Sequence, residues 1–144
     1  MTSWTCTVPL PSRDLSPNGS RGHWSRTARA RRDYRELCEA ILRPAAPHQP
    51  FERCFIKATL LICRSPLLSK GVPRPGVPLT ALDSYRPADL DNAIASCKPI
   101  LDACQSAGVI RSDAAKYVAS LEVGFERVLL HSLEGVRLEI TTAD

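Results

Sequence analysis

The segment from Tyr85 to Tyr117 constrains the fold of this 144-residue chain more than any other. Asp89 and Asp91 are two residues apart, and in an extended segment such residues point to the same face, so their carboxylates converge. A helix is predicted to begin at Asp91 or Asn92 and to stop at Gly108, because glycine is common just after a helix. Its apolar stripe consists of Leu90, Ile94, Cys97, Leu101 and Cys104. This stripe has to be buried against another layer of the fold.

The flank of the same helix carries charged side chains. At about 100° per residue, Asp91, Lys98 and Asp102 lie within roughly 20° of one line along it. The apolar pair Val109-Ile110 then returns the chain, so that Asp113 is expected near the first acids. A helix cap alone explains one Asp or Asn at a helix start, but it leaves the lysine and the later acid unexplained. Because carboxylate oxygens suit Mg²⁺ and Mn²⁺, the sequence favours a divalent-metal site here.

This segment resembles the RusA-type Holliday-junction resolvases, which are small dimeric endonucleases common in phages and prophages. The residues that carry the resemblance are Asp89-Leu90-Asp91-Asn92, Lys98, Asp102-Ala103 and Gly108 to Asp113. The resemblance implies that Asp89, Asp91 and Asp113 are metal ligands. It also implies that Lys98 is the catalytic lysine.

Two positions depart from the family's pattern. The family usually places its lysine about one helical turn after the second aspartate, where this chain has Ala95, and Lys98 follows a turn later. Ser112 stands where many members have a second acid. Pro99 cannot donate a backbone hydrogen bond, which predicts a bend near Ala95 to Lys98 that brings the lysine towards the aspartates.

The resemblance implies a Mg²⁺-dependent endodeoxyribonuclease, with Mn²⁺ able to substitute, that resolves four-way DNA junctions by symmetric phosphodiester hydrolysis in recombination and repair. A homodimer with one site per subunit is expected, because a four-way junction has near two-fold symmetry and needs two cuts. The alternatives are a DNA-binding protein of the same fold without catalysis and a protein-binding adaptor. The expected location is the cytoplasm of a bacterial or phage-infected cell.

Basic residues, most of them arginines, are expected to contact the DNA. A helix is predicted from Ser25 to about Leu42, and a second basic group lies in the long connection 64–86. The inward face of the helix is expected to be Tyr34, Leu37, Cys38 and Ile41. Arginine suits bidentate phosphate contacts, although a solvated basic face would have the same composition. The predicted DNA contacts are Arg13, Arg26, Arg29, Arg31, Arg32, Lys70, Arg74 and Arg86.

Alternating apolar residues predict four strands. Trp4 to Leu10 is expected at a sheet edge because prolines end it, and Cys54 to Cys63 at the centre because both its faces are largely apolar. Tyr117 to Phe125 has the pattern of a half-buried strand. A turn around Glu134-Gly135 predicts a hairpin that continues into Val136 to Ile140.

These elements predict an α+β fold: one domain over residues 1–144, with a small mixed sheet and two main helices on one side. The resemblance implies a RusA-like arrangement of them. The net charge of +4 favours a polyanionic partner. The six cysteines lack the spacing of a zinc site and are interpreted as buried free thiols. Neither a signal region nor a membrane span is expected, which underlies the cytoplasmic prediction.

Overall fold

The computed structural model describes residues 1–12, 15, 24–63, 68–69, 72–73 and 90–144. Its strands and helices, in chain order, are β1 Ser3–Val8, α1 Trp24–Ala45, β2 Cys54–Ile62, β3 Leu68–Ser69, β4 Val72–Pro73, α2 Leu90–Ser106, β5 Val118–Arg127 and β6 Gly135–Thr142. A 3-10 turn, His131–Leu133, lies between β5 and β6. Within the part of the chain that the structure describes, β3 and β4 pair only with each other.

The main sheet has four strands in the order β1-β6-β2-β5. Strand β2 pairs parallel to β5 and antiparallel to β6, and β6 pairs antiparallel to β1. The sheet is therefore mixed, and together with the two helices it confirms the predicted α+β class. As expected, β1 lies at an edge and β2 lies inside the sheet.

One part of the predicted topology is wrong, because β5 and β6 do not form a hairpin. The 3-10 turn carries the chain past the end of β2, and β6 inserts between β2 and β1. Gly135 begins β6 rather than forming a hairpin turn. A Cβ there would lie 2.8 Å from both the Thr7 side chain and the Val8 carbonyl oxygen, so the glycine lets β1 approach closely.

Helix α1 packs across the sheet and is anchored to β1 at two points. The Tyr34 hydroxyl donates to the Pro9 carbonyl at 2.6 Å, and the Trp4 indole donates to the Ala45 carbonyl at 2.7 Å. The helix begins before the predicted Ser25 and extends past Leu42 to Ala45.

The buried face of α1 differs in part from the prediction. Its fully buried side chains are Tyr34, Cys38 and Leu42. Leu37, predicted to face inward, is exposed, and Ile41 is only partly buried against the core. The stripe from Tyr34 to Leu42 keeps a spacing of four residues, so it leaves Leu37 on the solvent side of the helix.

The buried face of α2 is also rotated from the predicted one. Ile94 is 44% exposed, whereas Ile100 is 1% exposed. The buried residues of this helix include Ala93, Cys97, Ile100, Ala103 and Cys104. Because α2 packs against both α1 and the sheet, its buried face is wider than a single stripe and is centred on small side chains that allow close approach. Cys97 and Cys104 are buried as predicted.

The cysteines are free thiols, as predicted, although two of them are not fully buried. Cys38, Cys54, Cys97 and Cys104 are buried in the core, whereas Cys6 and Cys63 are half-buried. Burial raises the pKa of the Cys104 thiol to about 12, so this group remains protonated. Among the residues that the structure describes, no helix is long and apolar enough to cross a membrane.

Candidate functional site

Lys98 lies at the centre of the candidate site and contacts two carboxylates. Its ammonium donates to Asp102 Oδ1, one turn further along α2, at 2.9 Å. It also donates to Asp113 Oδ2, beyond the end of the helix. We call these three residues the lysine–aspartate cluster. Asp113 thus returns to the flank of α2 at Lys98, whereas its predicted place beside Asp89 and Asp91 stays a prediction.

The turn after α2 brings Asp113 to this position. Gly108 adopts a φ of +78°, in the left-handed region that favours glycine, and it ends the helix as predicted. Val109 then donates to the Cys104 carbonyl at 2.8 Å. The Phe51 amide donates to the Val109 carbonyl at 2.9 Å, which fixes this segment beside the chain leading into β2. Asp113 follows within a few residues, so its position is set by backbone hydrogen bonds.

The ion pairs shift the pKa values of Lys98 and Asp113 in the directions that keep both groups charged. The hydrogen bond from Lys98 lowers the pKa of the Asp113 carboxyl below its usual range. In turn, the hydrogen bonds to Asp113 and Asp102 raise the pKa of Lys98. These shifts keep the Lys98 ammonium and the Asp113 carboxylate charged at neutral pH.

A groove between the two helices opens beside this cluster. It has a volume of about 540 Å³. Its lining consists of Arg31, Arg32, Arg35, Ala95, Lys98, Pro99 and Asp102. We call it the arginine groove. Among the described residues, three guanidinium groups of α1, the Lys98 ammonium of α2 and one carboxylate thus line this space, and this arrangement favours an anionic ligand.

The predicted DNA contacts fall into three groups. Arg31 and Arg32 line the arginine groove, and Arg35, which was not among the predicted contacts, completes it. Arg26 and Arg29 are exposed on α1 but do not line the groove. The remaining predicted contacts lie outside the described residues: Arg13, Lys70, Arg74 and Arg86.

The predicted metal ligands are described only in part. Asp91 is exposed in the first turn of α2, about two turns before Lys98. Asp89 lies outside the described residues. Asp91 and Asp113 offer only oxygen atoms, the donors that Mg²⁺ prefers, and Asp113 has a second oxygen beyond the one that accepts from Lys98. Among the described residues, however, no group of three metal-ligating side chains within 4.8 Å of one another includes either of them.

The departures from the family pattern have local roles in the structure. Ala95 lines the arginine groove. The Ser112 hydroxyl accepts a hydrogen bond from the Ala114 amide at 3.2 Å, which closes a local turn beside Asp113. Helix α2 continues through Pro99, and Lys98 reaches Asp113. The bend near Ala95 to Lys98 stays a prediction.

A group of metal-ligating side chains that was not predicted from the sequence lies at the end of β2. Cys63, His131 and Glu134 offer ligand atoms that lie within 4.8 Å of one another. We call them the Cys–His–Glu cluster. Residue spacing could not reveal it, because Cys63 follows β2 and the other two residues precede β6. Their proximity requires the sheet order, in which β2 and β6 are neighbours.

No protein-family model matches the chain, and no curated protein matches it. The function therefore has to be inferred from the site itself, together with the sequence resemblance of the Asp89 to Asp113 segment.

Proposed function

We propose that this protein is a metal-dependent endonuclease that hydrolyses phosphodiesters in branched DNA, with the four-way junction as its substrate. The observation that carries the proposal is the arginine groove, in which the basic face of α1 meets the Lys98 ammonium. The groove thus joins a surface suited to binding phosphates to residues suited to phosphodiester chemistry.

The arginine groove would bind the sugar-phosphate backbone. Arg31, Arg32 and Arg35 lie within about one turn of α1, so their guanidinium groups can contact successive phosphate oxygens. Each guanidinium presents a planar fork of donors that matches a phosphate. Asp102 is the one acid among the described residues of the lining, and it is already paired with Lys98. The groove therefore keeps a net positive charge towards the substrate.

Lys98 would stabilise the phosphate in the transition state. An ammonium has three donor hydrogens, and Asp102 and Asp113 accept two of them, which leaves the third for a phosphate oxygen. Because both carboxylates raise its pKa, Lys98 is charged before the substrate binds. Such an electrostatic contact acts most strongly on the charge that develops during hydrolysis.

Asp91 and Asp113 would hold Mg²⁺, together with Asp89 in the part of the chain outside the described residues. An ion held there would activate a water molecule and neutralise developing negative charge, and Mn²⁺ could substitute for it. The lowered pKa of Asp113 keeps this carboxylate ionised, as a metal ligand has to be.

A homodimer would match the symmetry of the substrate. A four-way junction has near two-fold symmetry, and two sites related by a two-fold axis can make paired cuts. The RusA-type resolvases, which the Asp89 to Asp113 segment resembles, are dimers of this kind.

A DNA-binding protein of the same fold without catalysis is the second candidate. One observation favours it: Lys98 is held by two carboxylates, and this ion-pair arrangement also suits a purely structural link between α2 and the segment that follows it. In that case the arginine groove would still bind DNA, but no metal would be needed. A protein-binding adaptor is the third candidate, for which the groove would be incidental.

One experiment separates the three candidates. The purified full-length chain is incubated with an end-labelled four-way junction and with a linear duplex of matched sequence, each with Mg²⁺ or with a chelator. Paired cuts in the junction that require Mg²⁺ support the endonuclease. Retention of the junction without cleavage in either condition supports the binding protein. If the junction is neither retained nor cleaved, the result supports the adaptor.

A further inference from the structure

The end of β2 and the connection between β5 and β6 form a second polar site, remote in sequence from the lysine–aspartate cluster. Ile62 is paired with Arg127 at the parallel ends of β2 and β5, and the Val128 amide donates to the Ile62 carbonyl at 3.2 Å. On the other side of β2, Leu61 is paired with Gly135, the first residue of β6. The residue after β2 and the residue before β6 are therefore brought together by strand register.

These residues are Cys63 and Glu134, and they are hydrogen-bonded. The Cys63 amide donates to Glu134 Oε1 at 2.9 Å. His131 lies three residues before Glu134 in the 3-10 turn, and its Nδ1 is 3.3 Å from the same carboxylate oxygen. The turn is closed by the Glu134 amide, which donates to the His131 carbonyl at 3.1 Å. Thiol, imidazole and carboxylate thus converge on one point.

We propose that Cys63, His131 and Glu134 bind one Zn²⁺ ion. The three ligand atoms lie within 4.8 Å of one another, so small side-chain rotations bring them to the separations of a tetrahedral site with bonds of about 2.0–2.3 Å. A mixed sulfur, nitrogen and oxygen set selects zinc and its neighbours over Mg²⁺, which prefers oxygen alone. Three protein ligands leave the fourth position for water or for an external donor.

The local packing indicates what such an ion would stabilise. The 3-10 turn buries none of its residues, and the leucines around it are exposed: Leu129, Leu130 and Leu133. This connection therefore has little apolar burial to hold it in place. An ion shared by Cys63 and the turn would fix the connection to the end of β2, in the way that metals stabilise small units that lack a core.

The test is a titration of the metal-free full-length chain, with Zn²⁺ followed by calorimetry and Co²⁺ followed by absorption. We expect one equivalent of Zn²⁺ and a cobalt–thiolate charge-transfer band. Cys63→Ser should remove that band and weaken Zn²⁺ binding by at least about 100-fold, more than the loss of a residue that only supports a ligand. Cys6→Ser is the matched control, since Cys6 is the other half-buried thiol, and it should bind as the wild type does.

His131→Ala provides a second variant that keeps the proposal testable if Cys63→Ser does not fold. The His131 side chain is 83% exposed, so its removal should leave the fold intact while it weakens Zn²⁺ binding to a similar extent. In the wild type, Zn²⁺ at about 100 times its Kd should raise the thermal midpoint by roughly 10 °C, and neither variant should show this rise.

Either of two results would overturn the proposal: a wild-type chain that binds no Zn²⁺, or a Cys63→Ser chain with wild-type affinity and an unchanged charge-transfer band. Loss of binding in Cys6→Ser would also overturn it, because the ion would then be held elsewhere. None of these readouts uses DNA or Mg²⁺. A failure of the proposed nuclease activity is therefore distinguishable from a failure of the zinc site.

Discussion

The lysine–aspartate cluster and the Cys–His–Glu cluster are built in opposite ways. Lys98, Asp102 and Asp113 come from one helix and the turn that follows it. The members of the second cluster come from the end of β2 and from the connection that precedes β6, which only the sheet order makes neighbours. The first group could be predicted from helical spacing, whereas the second could not.

Their chemistry differs as much as their construction. The lysine–aspartate cluster offers oxygen atoms and lies beside the cationic arginine groove, in keeping with the Mg²⁺ ion and the phosphate substrate that we propose. The Cys–His–Glu cluster offers sulfur, nitrogen and oxygen beside exposed leucines, in keeping with the zinc ion that we propose there. If this division is correct, changes in one cluster should leave the function of the other unaltered.

The largest expected effect is the loss of cleavage when an acid of the proposed Mg²⁺ site is replaced. Asp113→Asn, Asp91→Asn and Asp89→Asn should each abolish junction cleavage while junction binding survives or tightens, because each removes a ligand and a charge that repels phosphate. Gel assays of cleavage and of binding measure the two effects separately. Cys63→Ser, assayed in Mg²⁺, is the control that should cleave normally. Near-normal cleavage by one of the Asn variants would remove that residue from the site.

Lys98→Ala should have the next largest effect. Loss of one electrostatic stabiliser should cut the single-turnover cleavage rate by about 100-fold or more, with little change in junction binding. Arg111→Ala is the matched control, since Arg111 is also an exposed cation that pairs with a carboxylate, that of Glu52. Normal cleavage by Lys98→Ala would make the ion pairs of Lys98 purely structural and favour the non-catalytic candidate.

Removal of the arginines of the groove should weaken binding and its dependence on salt. Replacing Arg31, Arg32 and Arg35 together by Ala should lower the slope of log affinity against log salt by about one unit for each lost phosphate contact. A charge-matched control replaces Lys57, Arg111 and Lys116, which do not line the groove. Equal slopes for the two triple variants would mean that the arginine groove is not the DNA site.

Two isoleucines of α2 test the orientation of the helix, on which the position of Lys98 depends. Ile100→Ala should lower the free energy of unfolding by about 2–5 kcal/mol, because this side chain is fully buried. Ile94→Ala should change it by less than about 1 kcal/mol, because Ile94 is largely exposed. Denaturant unfolding measures both. If Ile94→Ala destabilises the protein more than Ile100→Ala does, α2 buries the face predicted from the sequence, and Lys98 then lies away from the groove.

The smallest effect concerns the titration of Asp113. Lys98 lowers its pKa, so Lys98→Ala should raise that pKa towards the ordinary value, which carboxyl NMR can follow. In the wild type the ion pair stabilises the folded state above the ordinary pKa of aspartate, and this contribution is lost as the pH falls through the lowered pKa. An unchanged pKa in Lys98→Ala would mean that the two groups are not paired in solution.

Local patterns were sufficient to predict much of the fold. The helical spacing placed Asp102 one turn from Lys98, and Gly108 was recognised as the stop that returns the chain towards Asp113. Strand β2 was placed inside the sheet because both its faces are rich in apolar residues. These features depend on neighbours in sequence, so they can be predicted without tertiary contacts.

Features that depend on packing between distant segments could not be predicted. Strand β6 lies between β1 and β2 instead of beside β5. An alternating pattern could not predict this order, because it shows which face of a strand is buried but not which strand lies next to it. The exposure of Leu37 and Ile94 follows from how α1 and α2 pack together. The arginine groove was missed for the same reason, because its two walls come from different helices.

Site-specific crosslinking tests most directly whether the arginine groove carries the DNA. A photo-crosslinking amino acid is introduced at Ala95, which lines the groove, and in a separate variant at Phe55, which is exposed on the sheet. With a labelled four-way junction and a chelator, so that no cleavage intervenes, the probe at Ala95 should crosslink to the strands at the centre of the junction. The probe at Phe55 should give only background. Efficient crosslinking from Phe55 with none from Ala95 would contradict the placement of DNA in the groove.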